Sequence, residues 1–223
     1  MRKLRLYWHT LRYLYPSQVA WRLLRPLRMR RVPPRLPPVT WDVAALNRLR
    51  GFLESVAHAG LDEDDSLDAW LKGRLCLAGQ VISLDAPERL PWDATSLPRL
   101  ARFQLHGFRY FRWLVMAVLR GGIPEAEARR IISTVVDDWL RRNPPPADPG
   151  WDPYPTAERL LNWIMATAVV GLEYPSMAGS IACQVWRLER TLEYDLRGNH
   201  LLREWAALAL AGAVTGDRRR LER

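Results

Sequence analysis

Apolar residues in the second half of the chain recur at helical spacing. The clearest series follows Pro124, a residue suited to the first turn of a helix, and five apolar residues share one face there: Ile131, Ile132, Val135, Val136 and Trp139. The same pattern predicts helices at about 102–120, 125–142, 155–171, 176–196 and 199–215. No strand-like alternation competes with them, so the sequence predicts an all-α fold built from successive helical hairpins.

The first hundred residues are more varied. Two short basic amphipathic helices are expected at 3–14 and 17–31, separated by Pro16, with Ser17 as the cap of the second. Four prolines make 32–38 an extended strap. A helix near 43–58, an acidic stretch at 62–68 and an irregular region up to about 100 follow. We therefore divide the chain into a basic arm (1–40) and a helical domain (41–223).

The net charge of +9 is concentrated in the arm, because residues 1–50 hold twelve Lys or Arg and one acid, Asp42. Dense positive charge of this kind suits nucleic acid, anionic lipid or an acidic polysaccharide. A solvated, arginine-rich face is the other interpretation. The charge alone does not choose between them.

Other chemistries find little support in the sequence. Cys76 and Cys183 have no metal-like or redox-like spacing, and their apolar neighbours predict buried free thiols. The chain has no pair of His residues at metal-ligand spacing, no glycine-rich phosphate loop and no nucleophile elbow. We expect neither a metal nor a nucleotide cofactor. The sequence shows no membrane span or signal peptide, so as written it reads as cytoplasmic.

The order of the helices suggests where a cleft could form. The connection at 143–154 is long and rich in Pro and aromatic residues, which is typical of a functional loop. If neighbouring helices are antiparallel, three groups share one end of the bundle. These are Gln104 with His106, Trp151 with Tyr154, and the junction 198–200.

Several short motifs occur in a set order along most of the chain. They are Leu11-Arg12-Tyr13 with Pro16-Ser17-Gln18, Phe103-Gln104-Leu105-His106, Trp151-Asp152-Pro153-Tyr154-Pro155, Arg159 with Asn162-Trp163, and Leu192-Glu193-Tyr194 with Gly198-Asn199-His200-Leu201. This series resembles the N-terminal region of heparinase II/III-type polysaccharide lyases. The resemblance implies an incomplete α/α toroid, in which helical hairpins circle a cleft. In full-length members a C-terminal β-sandwich follows, which this chain lacks.

The resemblance also implies a reaction, β-elimination on uronic-acid polysaccharides. A base removes the proton at C5 beside the carboxylate, and the glycosidic bond at C4 breaks. The carboxylate must be neutralised by a preorganised donor. The family's neutralising residue falls in the Asn-His element, which makes Asn199 the candidate, with His200 orienting or assisting it. The alternative is that Asn199 only caps the last helix.

The family's catalytic Tyr lies downstream of the Asn-His pair, and this chain ends before it. Tyr154 and Tyr110 do not occupy the corresponding motif position and are interpreted as structural phenols. The chain also has Glu204 and Trp205 where relatives more often carry small or amide residues. This departure affects the expected shape of the cleft floor.

The remaining candidates would bind substrate, and each has a structural alternative. His106 is a sugar or carboxylate contact or a core histidine, and Gln104 accompanies it at the cleft. Trp151 and Tyr154 could stack on sugar rings. Arg159 could pair with a uronate or sulfate, or with Glu158. Trp163 is assigned to the core.

These inferences lead to one expected function and one alternative. The expected function is the N-terminal substrate-binding part of a lyase acting on heparan sulfate-like or alginate-like polysaccharide, inactive alone and self-associating through an unclosed helix face. Its partner is an anionic polysaccharide, and exported relatives work in the periplasm. The alternative is a non-catalytic adaptor whose basic arm binds an anionic polymer or a membrane.

Overall fold

The computed structural model describes residues 14–57, 64–171, 175–196 and 198–217. These residues are mostly helical, which confirms the all-α prediction, with a single β-hairpin added in the described part. The elements in chain order are α1 (Pro16–Met29), α2 (Val43–Ala57), α3 (Asp64–Leu71), β1 (Arg74–Leu77), β2 (Gln80–Ser83), α4 (Arg99–His106), α5 (Phe111–Leu119), α6 (Glu125–Arg142), α7 (Pro153–Val170), α8 (Pro175–Thr191) and α9 (Asn199–Thr215). The toroid arrangement stays a prediction.

Helix α7 is the centre of the fold. Its sequence is apolar on nearly every side, and a helix of that kind must be covered all round. It packs against α9, α5, α8, α2, α4 and α6. Two prolines lie in its first turn, where their missing N–H groups cost nothing, and Gly171 ends it in the left-handed conformation. Because α7 begins at Pro153, its first two turns carry Tyr154 and Glu158 to one end of the bundle.

The predicted helix at 102–120 is wrong, because the chain breaks between α4 and α5. Phe108 takes a left-handed conformation with φ of 57°. This conformation places the Phe108 ring among three indole rings, with centroid distances of 5.2 Å to Trp163, 5.4 Å to Trp92 and 5.9 Å to Trp139. Gly107 allows the break, since a Cβ there would lie 3.0 Å from Glu158 Cβ. Burial of an aromatic ring in this cluster outweighs local helix propensity.

The irregular region predicted before residue 100 contains a helix and a hairpin. Helix α3 occupies the acidic stretch, and β1 pairs antiparallel with β2 through the turn at Ala78 and Gly79. Both turn residues have positive φ, at 49° and 76°, as a two-residue hairpin turn requires. The alternation of buried Leu75 and Leu77 is the strand signal in a region that was predicted to be irregular.

Helix limits in the second half are close to those predicted. Helices α6 and α9 have the predicted bounds, and α7 starts two residues early. Helix α8 ends at Thr191, and residues 192–196 are not helical. Gly198 directly precedes α9, with φ of 139°.

The arm lies against the helical domain. Helix α1 packs on α8, and the proline-rich strap is non-helical as predicted. The cap of α1 is not Ser17, because the Gln18 side chain accepts the Tyr15 N–H at 3.0 Å. Arg187 donates to the carbonyl groups of Met29 and Arg31, both at 3.0 Å, and so holds the end of α1. The predicted helix at 3–14 falls almost wholly outside the described residues.

Two further sequence predictions concern membrane-spanning helices and the cysteine thiols. Within the described ranges, every helix is too short or too polar to cross a bilayer. Both cysteines are free, as predicted, but Cys76 is exposed on the hairpin and Cys183 is half-buried. The prediction of burial is therefore wrong for Cys76, since its strand buries only the neighbouring leucines.

Candidate functional site

A cleft opens where the first turns of α7 and α9 meet the junction of α4 and α5. Its volume is about 360 Å³, and we call it the α7–α9 cleft. The residues that line it are Arg109, Arg112, Tyr154, Glu158, Asn199, Leu202 and Arg203. Two of the predicted site residues, Tyr154 and Asn199, are among them, and His200 lies beside them.

Tyr154 and His200 are stacked at the edge of the cleft. Their ring centroids are 4.2 Å apart and the planes differ by 24°. Burial, and next the nearby Glu158 carboxylate, raise the pKa of the Tyr154 phenol, while Arg203 and Arg109 oppose this effect. The phenol therefore keeps its proton at neutral pH. In this arrangement Tyr154 can donate a proton or hydrogen bond to a bound ligand.

His200 is oriented by Glu193. The His200 Nδ1 atom lies 2.7 Å from Glu193 Oε2, and that carboxylate is almost completely buried. A carboxylate oxygen accepts hydrogen bonds, so Nδ1 is the donor of this pair, and in the tautomer with its proton on Nδ1 the Nε2 atom is left as an acceptor. Arg25 on α1 holds the other Glu193 oxygen at 2.6 Å. The arm thus helps to fix a side chain at the site.

A second acid lies behind this pair. Glu204 on α9 is fully buried, and its Oε2 accepts the Glu193 backbone N–H at 2.7 Å. Burial, together with the negative charge of Glu193, raises the pKa of Glu204 to about 8. Glu204 is therefore a neutral carboxylic acid at pH 7. It can support the chain at Glu193 without adding a second buried negative charge.

Arginines give the cleft a positive lining. Arg203 pairs with Glu158, with Nη2 lying 3.0 Å from Oε2, and both side chains reach solvent. Arg109 is exposed on the opposite wall. Three arginines and one glutamate line the cleft, and guanidinium groups bind carboxylates and sulfates well.

Asn199 is not the cap of α9. The cap position is Gly198, Asn199 is the first helical residue, and no side chain caps the helix. The amide of Asn199 is exposed at the cleft. The Asn199 amide and the backbone N–H groups at the start of α9 can both donate hydrogen bonds to a negatively charged group.

His106 and Trp151, which the sequence analysis placed at the cleft, are buried in the core. The His106 Nε2 lies 3.1 Å from the Trp92 carbonyl oxygen, and its Nδ1 accepts the Trp139 indole N–H at 3.1 Å. Burial, reinforced by Arg159, lowers the pKa of His106 to about 4, so the ring is neutral. The Trp151 indole donates to the Asn143 carbonyl at 2.9 Å. Both residues are structural, and their assignment as substrate contacts is corrected.

Arg159 and Gln104 also do not line the cleft. Arg159 is fully buried and donates to Gln184, His106 and Gly150, so neither the uronate pairing nor the pairing with Glu158 holds. The Gln104 side chain accepts the Ala78 N–H at 2.7 Å and so supports the hairpin turn. The core assignments of Trp163 and Tyr110 are confirmed by their complete burial.

Four charged residues around the site were given no functional role from the sequence. Glu193 and Glu204 flank the Gly-Asn-His element, and Arg109 and Arg203 were not singled out. A partial signal existed, since Glu204 lies on the apolar face of an amphipathic helix, where an unpaired acid is costly. The long-range partners could not be read from the chain.

Compared with family models, with curated proteins and with solved structures, the chain matches none. The motifs and the geometry of the α7–α9 cleft are therefore the features that bear on its function.

Proposed function

We propose that this chain is the N-terminal substrate-binding part of a polysaccharide lyase that acts on uronic-acid polysaccharides by β-elimination. One observation carries the proposal. Asn199 and His200, the two residues in the Asn-His element of the lyase-like motif series, lie with Tyr154 at a cleft lined by three arginines. The chemistry of that cleft suits a sugar that bears a carboxylate.

The proposed role of Asn199 is to neutralise the uronate carboxylate. Its amide N–H₂ would donate to a carboxylate oxygen at the start of α9, where the helix dipole favours negative charge. Withdrawing charge from the carboxylate makes the C5 proton more acidic, which is the difficult step of the elimination. Arg109 and Arg203 would hold a neighbouring carboxylate or sulfate of the polymer.

His200 and Tyr154 offer complementary proton chemistry beside this carboxylate site. The Glu193 carboxylate holds Nδ1 and leaves Nε2 of His200 as an acceptor, whereas the Tyr154 phenol keeps its proton. In β-elimination one group takes a proton at C5 and another gives one to the leaving oxygen at C4. The stacked pair supports the assignment of this cleft to such a reaction.

Replacement of Asn199 tests the proposal. We expect Asn199→Ala to bind glucuronan or alginate oligosaccharides roughly 10-fold more weakly, because it loses one charge-assisted hydrogen bond. Isothermal titration calorimetry measures this difference. Asn47→Ala is the matched control, since Asn47 is an exposed helical asparagine on α2 that does not line the cleft. Equal affinities for the two variants would contradict the role of Asn199.

A further inference from the structure

Helix α1 is amphipathic, but its polar face is the one that meets the protein. Gln18 is buried and donates to the Asp195 carbonyl at 3.1 Å. Arg25 pairs with Glu193 at 2.6 Å, and Arg22 lies 3.5 Å from the Asp195 carboxylate. Charged and polar contacts, together with the Trp21 ring 4.8 Å from the Tyr194 ring, therefore attach this helix to the residues that follow α8.

The opposite face of α1 is apolar and faces away from the protein. At 3.6 residues per turn, Leu23 and Leu27 fall on the side opposite to Gln18 and Arg25. Their exposed fractions are 73% and 63%, and Leu24 beside them is 44% exposed. Val32 and Tyr15 extend this surface beyond the two ends of the helix, with exposures of 60% and 62%. We call Leu23, Leu24 and Leu27 the α1 apolar face.

The residues that follow the α1 apolar face along the chain are basic. Arg30, Arg31 and Arg35 follow the helix, are exposed, and form no ion pair with any residue in the described ranges. The sequence has no acid before Asp42, although it holds ten Lys or Arg over the same stretch. A ligand for this surface must accept apolar side chains and supply negative charge.

We propose that α1 and the strap bind the surface of a membrane rich in anionic lipid. The α1 apolar face would enter the boundary between headgroups and acyl chains, and the three arginines would meet lipid phosphates. Helix α1 would then lie between the bilayer and the helical domain, with its polar face toward the domain. This orientation explains why the ion pairs of α1 point toward Glu193 and Asp195.

Charge argues against the other occupants of this surface. A second copy docked by the same face would bring two sets of unpaired arginines together, and like charges repel at that distance. The phosphates of a nucleic acid would bind the arginines but would not bury the three exposed leucines. An anionic bilayer satisfies both features, and this binding is independent of the proposed lyase function.

Cosedimentation of the chain with vesicles tests the proposal. We expect binding to phosphatidylcholine vesicles that contain phosphatidylglycerol, and binding at least roughly 10-fold weaker to phosphatidylcholine alone. Leu23→Gln/Leu27→Gln should weaken binding to the anionic vesicles by at least roughly 10-fold through loss of apolar insertion. Arg30→Gln/Arg31→Gln/Arg35→Gln should do the same and reduce the salt dependence.

Val81→Gln/Leu100→Gln is the matched control, because Val81 and Leu100 are 69% and 56% exposed and lie on the hairpin and on α4. It should bind vesicles like the unmodified chain. Failure to bind anionic vesicles, or binding that the leucine variant leaves unchanged, overturns the proposal. A dimer in sedimentation velocity that the leucine variant abolishes, without vesicle binding, would assign the face to a second copy instead. Circular dichroism confirms that each variant is folded.

Discussion

Replacing Arg159 with methionine should destabilise the protein by about 4 kcal/mol or more. The guanidinium donates to the Gln184 side chain at 3.0 Å, to the His106 carbonyl at 3.0 Å and to the Gly150 carbonyl at 2.6 Å. Methionine is shorter and supplies no donor, so these three acceptors lose their partner inside the core. Unpaired buried acceptors cost far more than the lost bonds themselves.

The position of Arg159 adds to this expected loss. Its guanidinium carbon lies 4.0 Å from the centroid of the Trp139 ring, and no described acid balances its charge. Burial, and next the charge of Arg187, lower the pKa of the guanidinium. The carbonyl oxygens and the indole ring therefore replace water and a counter-ion around this side chain.

Urea unfolding followed by circular dichroism measures the change in the free energy of unfolding. Arg130→Met is the matched control, because Arg130 is an exposed arginine paired with Glu88 at 2.8 Å. We expect this control to lose no more than about 1 kcal/mol. If Arg159→Met were no worse than the control, Arg159 would not be the link between α4, α7 and α8.

Glu204→Gln should change how stability depends on pH. The pKa of Glu204 is 4.5 in a model peptide and about 8 in the folded protein. Between these values the unfolded chain releases the proton and the folded chain keeps it, so stability falls as pH rises from about 4.5 to about 8. Glutamine does not titrate, can accept the Glu193 N–H in the same way, and should remove this fall.

The expected gain is largest at alkaline pH. Near pH 5 the two proteins should be similarly stable, and near pH 8 the glutamine variant should be more stable by roughly 3 to 5 kcal/mol. Unfolding in urea across this pH range measures the difference. The exposed Glu127 provides the control Glu127→Gln, which should follow the unmodified chain. Parallel curves for Glu204→Gln and the unmodified chain would contradict a neutral Glu204.

Helix α6 could be predicted because its burial is one-sided. Helix α6 follows Pro124 and has apolar residues at helical spacing on one face, so the extent of this pattern indicates where the helix begins and ends. The break at Phe108 could not be predicted, because its cause is a cluster of rings from Trp92, Trp139 and Trp163. Those partners are distant in sequence, and local propensity carries no information about them.

The candidate site was predictable to the same limited extent. Antiparallel helices placed Tyr154 near Asn199 and His200, and the structure brings these residues together. His106 and Trp151, which were placed at the same end by the same reasoning, are buried in the core. Helical order gives the end of the bundle at which a residue lies, and packing decides whether its side chain reaches solvent.

In the proposed function, the α7–α9 cleft recognises the carboxylate of a uronic-acid polysaccharide. The most direct measurement is a calorimetric titration with glucuronan oligosaccharides and with the same oligosaccharides after reduction of their carboxyl groups to alcohols. We expect the native oligosaccharides to bind and the reduced ones to bind at least roughly 10-fold more weakly, since the arginines and Asn199 lose their charged partner. Equal binding of the two, or no binding of the native oligosaccharides, would contradict the claim.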